Sequence, residues 1–99
     1  MNKLIYLFAI FIFITSIPTV IGAVSCGDTI TTNTNLTSDL TECSSNGLTI
    51  GGDDVTLDCQ GNMIDGVNAA NSTGVNNTGG YNNFTMRNCI IKNFEYGLR

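Results

Sequence analysis

Four carboxylates fall within one short stretch, Asp53, Asp54, Asp58 and Asp65, and the internal bases Arg87 and Lys92 follow them. Such a set has two uses. Carboxylates can gather a hard cation, which takes about six to eight oxygen ligands, or act as an acid–base pair on a glycosidic bond when about 5 to 9.5 Å apart. The Gly51-Gly52-Asp53-Asp54 segment is a turn, where an acid usually shapes the backbone and stays in water. Asp54 and Asp58 would meet the glycosidase spacing only through the accident of that turn. No catalytic residue, metal ligand or cofactor is assigned, and the chain has no His.

Cys26, Cys43, Cys59 and Cys89 are the other reactive set. They contain no CxxC, which argues against zinc, and their number points to an oxidising compartment with three conceivable full pairings. Cys26 and Cys43 bracket the part before the repeat. Joining them closes a loop of about 17 residues, worth roughly 3 kcal/mol by chain entropy. Cys59 and Cys89 lie at nearly equivalent places after Leu57 and Met86. They are either a disulfide between stacked strands about 4.8 Å apart or two small buried thiols.

Four Asn-x-Ser/Thr triplets start at Asn35, Asn71, Asn76 and Asn83. They are glycosylation candidates. Asn71 and Asn76 are the best placed, within an Asn/Gly/Ser/Thr-rich insertion over 68–82 that is expected to loop outward except where Gly74-Val75 joins the sheet. Asn62, Asn88 and Asn93 close strands and are expected to be structural, as left-handed turn formers or stacked amides.

The elements that must position these groups repeat. Gly47-Leu48, Gly74-Val75 and Gly97-Leu98 stand 27 and 23 residues apart, in the range of a solenoid whose coils bury their apolar faces against one another. Read with period 2, Leu48 and Ile50, Val55 and Leu57, and Phe84 and Met86 face one side, with Thr49, Thr56 and Thr85 on the other. An antiparallel sandwich and a parallel coil both explain such short strands. A position-for-position match of Asp54-Val55-Thr56-Leu57 with Asn83-Phe84-Thr85-Met86, 29 residues apart, separates them. Only the parallel coil stacks like residues on like.

The amino-terminal residues differ in kind. Lys3 precedes an unbroken apolar run of 11 residues from Leu4 to Ile14, and a milder segment ends in Gly22-Ala23. This is the layout of a helical signal peptide over 1–23; a 20-residue anchor over 4–23 is the alternative, disfavoured by the short core. Beyond Ala23 three basic residues face eight acidic ones, a formal net charge of −5. A nucleic-acid partner, which needs a basic face, is excluded on that balance, and contact with the membrane is expected only through the leader.

Cys26-Gly27-Asp28, Asp39-Leu40-Thr41-Glu42-Cys43, Gly47-Leu48-Thr49-Ile50, Val55-Thr56-Leu57-Asp58-Cys59-Gln60-Gly61-Asn62, Ile64-Asp65-Gly66 and Phe84-Thr85-Met86-Arg87-Asn88-Cys89 together resemble the start of right-handed parallel β-helices of the pectate-lyase-like superfamily. More narrowly, they are similar to exported surface proteins with PbH1 or NosD-type repeats. The resemblance implies an all-β solenoid with a capping segment over 24–46 and about two coils over 47–99, opening a longer chain. Lyases of that superfamily bind Ca²⁺ through outward carboxylates and abstract a proton with a base. Here it implies a secreted or cell-surface protein, structural, adhesive or glycan-binding, whose partners are extracellular glycans or surface proteins. The alternatives are the non-catalytic start of a polysaccharide lyase or glycoside hydrolase and, more weakly, a metal-handling accessory protein, which lacks a His or Met-rich site here.

Overall fold

The computed structural model describes residues 23–99, so the leader expected over 1–23 lies, but for Ala23, outside the described residues. Ten strands follow: β1 (Asp28–Ile30), β2 (Thr34–Asn35), β3 (Leu40–Cys43), β4 (Leu48–Ile50), β5 (Thr56–Asp58), β6 (Met63–Gly66), β7 (Thr73–Asn76), β8 (Thr85–Arg87), β9 (Ile90–Lys92) and β10 (Tyr96–Leu98). None exceeds four residues, because Gly, Asn or Asp interrupts every alternating run.

Each strand pairs in parallel with the strand three places on, giving sheets β1-β4-β7-β10, β2-β5-β8 and β3-β6-β9. The chain visits the three sheets in rotation. Leu48 stands opposite Val75, and Val75 opposite Leu98, which are the registers of the glycine-apolar marks. Thr56, Leu57 and Asp58 stand opposite Thr85, Met86 and Arg87, at the offset of the matched tetrapeptides.

Residues 24–46 hold β1, β2 and β3, each paired with the strand three places on. Within the 68–82 stretch Gly74-Val75 joins the sheet as expected: β7 lies between β4 and β10 in the four-stranded sheet, with Thr73, Gly74 and Val75 buried. The β7 backbone finds partners on both sides. Leu36 follows β2 and is buried, and β3 starts at Leu40.

The core is a column of aliphatic side chains. Leu48, Ile50, Val55, Leu57, Ile64 and Val75 are each at most 2 % exposed. Strict alternation along β3 would turn Glu42 inward and Cys43 outward. Instead the pairing moves from Leu40–Ile64 to Cys43–Gly66, three steps against two, with Glu42 in the left-handed region at φ 55°. This bulge resets the phase, so that Glu42 is exposed and Cys43 fully buried. Seven other non-glycine residues share that left-handed conformation, among them Asp54, Asn83, Asn88 and Asn93. Short Asn and Asp side chains adopt it most readily, because they hydrogen-bond locally.

One group sits uneasily. Thr73 is fully buried and its Oγ1 has no hydrogen-bond partner, a situation that costs about 1–3 kcal/mol.

Candidate functional site

Asp53, Asp54, Asp58 and Asp65 each hydrogen-bond a residue of the next circuit. Asp53 Oδ1 accepts the Asn82 N–H at 2.8 Å, and Asp54 Oδ1 accepts from Asn83 Nδ2 at 2.9 Å. Asp65 Oδ1 accepts from Asn93 Nδ2 at 2.7 Å, while Lys92 lies opposite Asp65 in register. Asp58 is the most engaged: Oδ1 accepts from the Gln60 N–H at 2.9 Å and Asn88 Nδ2 at 3.2 Å, and Oδ2 meets Arg87 Nε at 3.2 Å.

The Gln60 N–H foremost, then the Asn88 amide, hold the Asp58 carboxyl below its ordinary range against desolvation, with the Arg87 guanidinium adding less. A carboxylate so held is a poor base at neutral pH. The Arg87 side chain is 62 % exposed, so this ion pair adds little by itself. Because the folded pKa is depressed, Asp58 contributes stability above its ordinary pKa of about 4, and that contribution fades as pH falls through the folded value. The stability gap between the wild type and Asp58→Asn, read as a urea midpoint, is therefore expected to shrink below about pH 4. A gap that stays constant into stronger acid would contradict this assignment.

Asn62, Asn88 and Asn93 do not stack on one another. Asn88 and Asn93 donate to the carboxylates of Asp58 and Asp65, and Asn62 Nδ2 donates to the Leu36 carbonyl oxygen at 2.8 Å. The sequence reading also missed a row of clamps. Asn33 Oδ1 accepts the Thr56 N–H at 2.8 Å, Asp39 Oδ1 the Met63 N–H at 2.8 Å, and Asn46 Oδ1 the Thr73 N–H at 3.0 Å. Each clamp holds the first residue of a strand in the following circuit. The available signal was position: these residues stand one or two places before β2, β3 and β4.

The four cysteines form two disulfides, Cys26–Cys43 and Cys59–Cys89, with Cα separations of 5.4 and 4.8 Å. The second joins β5's exit to β8's exit across adjacent circuits. The alternative of two free thiols at 59 and 89 does not hold.

Among the described residues no group of three or more His, Cys, Asp or Glu converges as metal ligands would. A groove of about 370 Å³ with mixed polar and apolar walls runs along β2, lined by Ala23, Val24, Thr32, Asn33, Thr34, Asn35 and Thr37. Its hydroxyls and carboxamides carry no charge, so it can hydrogen-bond a neutral polar ligand and has no acid or base to act on one.

No protein-family model, curated protein or solved structure matches this chain.

Proposed function

We propose that this chain forms the first circuits of a secreted or cell-surface right-handed parallel β-helix of the pectate-lyase-like kind, with PbH1/NosD-type repeats. Its role is structural, adhesive or glycan-binding, without catalysis in this part. The observation that carries the proposal is the engagement of Asp53, Asp54, Asp58 and Asp65 with the neighbouring circuit. Carboxylates spent on holding circuits together are not poised to bind Ca²⁺ or abstract protons. Two disulfides agree with an oxidising, extracytoplasmic setting, and the leader pattern over 1–23 agrees with export.

The edge formed by β8, β9 and β10 is open, with Ile90 and Leu98 each 54 % exposed. A further circuit stacked on it would bury Leu98 as its register partner Val75 is buried one circuit earlier. The neutral groove along β2 supplies hydroxyl and amide contacts of the sort that a sugar's hydroxyls accept.

The test is retention of the secreted protein on immobilised neutral and acidic polysaccharides, with the eluate assayed for unsaturated oligosaccharides. Retention without cleavage is the expected result. Unsaturated products would favour the lyase alternative, and no retention on any polysaccharide would remove glycan binding, leaving the structural role.

A further inference from the structure

A buried hydroxyl without a partner needs a reason, and the packing around Thr73 offers none. Valine has the same branched shape and would fill the space without an orphaned Oγ1. Thr73 is, however, the third residue of the triplet Asn71-Ser72-Thr73. A transferase that glycosylates asparagine reads the hydroxyl two places on while the chain is still extended. The folded structure then separates the two ends of the triplet. Asn71 is left exposed at the turn before β7, in the left-handed region at φ 62°, while Thr73 enters the sheet.

The other triplets lack this combination. Asn76 lies within β7, half-buried, with Oδ1 accepting the Thr78 N–H at 2.8 Å. Asn83 has its Nδ2 committed to Asp54 at 2.9 Å. Asn35 is exposed, but its Thr37 is exposed too and so gives no independent sign of selection for the hydroxyl. Asn71 uses its backbone N–H, which is donated to the Glu95 carboxylate, and its side-chain amide makes no hydrogen bond to a described residue.

We propose that Asn71 is N-glycosylated and that the otherwise unexplained Thr73 hydroxyl is present as the transferase's recognition group. Transfer forms a bond between Asn71 Nδ2 and the anomeric carbon of a lipid-diphosphate-linked oligosaccharide. The amide gives up one proton to the enzyme's base, and the lipid diphosphate leaves. The inference builds on the export reading above, since the donor and transferase lie across the membrane.

The full chain is expressed in a glycosylating secretory host beside Thr73→Ser, Thr73→Val and Asn71→Gln. Peptide mass spectrometry reads the sugar at Asn71, and thermal melts are taken after enzymatic removal of sugars. Sugar is expected at Asn71 in the wild type and in Thr73→Ser, and absent from Thr73→Val and Asn71→Gln. Sugar-free Thr73→Val is expected to melt about 4 °C or more above the sugar-free wild type.

A secreted wild type bare at Asn71 overturns the proposal, as does a Thr73→Val that melts lower, because the hydroxyl would then serve the fold. If no chain reaches the medium, export itself fails. A second arm then presents the reduced, unfolded chain to purified oligosaccharyltransferase with lipid-linked donor. An unmodified Asn71 in that arm also overturns the proposal, independently of export.

Discussion

Replacing Cys59 and Cys89 together by alanine is expected to lower folding stability by about 3–4 kcal/mol. The bond closes a loop of 30 residues and spans two circuits, so in the chain-entropy account it removes many conformations from the unfolded chain. Cys26–Cys43, with a separation of 17, is worth about 3 kcal/mol on the same account. Small domains have only about 5–15 kcal/mol in hand, so either loss takes a large share, and losing both is expected to unfold the chain at physiological temperature. Alanine is the right replacement because Cys43 and Cys59 are fully buried, and serine would leave hydroxyls without partners. The urea midpoint at constant slope measures the effect. A drop below about 1 kcal/mol for Cys59→Ala/Cys89→Ala would mean that the inter-circuit pairing holds these circuits without the cross-link.

Gly47→Ala is the second large effect, expected to cost about 3 kcal/mol, the upper end for overpacking. A β-carbon at Gly47 would press on the Gly74 carbonyl oxygen and on the Ile64 Cγ2, far inside van der Waals contact. Both obstacles are fixed, one as backbone of the central strand and the other as a fully buried side chain. Gly74 stands one circuit on, and its β-carbon would meet Ile91 Cγ2 and, at 2.6 Å, the Gly97 carbonyl oxygen. Those neighbours belong to the open end, where Ile91 is only half-buried and β10 is an edge, so they can move and Gly74→Ala should cost less. Gly97, in the same column, has nothing within 4 Å, and Gly97→Ala should be neutral within about 0.5 kcal/mol. Equal costs at the three positions, by thermal or urea melts, would show that glycine is required there for backbone conformation and not for close approach between circuits.

That gradient also explains why the glycine marks were legible. Glycine recurs where one circuit's backbone lies against the next, so the marks at 47, 74 and 97 carried the true register. The acids were found as well, since Asp in a turn-rich chain stands out, but their partners were not. Whether Asp58 meets Arg87 and Asn88 depends on a circuit of 29 residues returning it to that point. Asn33, Asp39 and Asn46 escaped notice for the same reason: an Asx residue before a strand looks like any other turn until the N–H across from it is known.

By itself, the sequence determined the all-β character, the parallel register and the equivalence of Cys59 with Cys89, because these follow from residue type and spacing along the chain. Tertiary structure alone decided that Thr73 enters the sheet beside Gly74-Val75 and is buried, that Glu42 turns outward at a bulge, and that the carboxylates bind neighbouring circuits. The physical reason is that each of these depends on what lies one circuit above or below. Such contacts join residues some 20 to 30 positions apart, and local propensity carries no record of them.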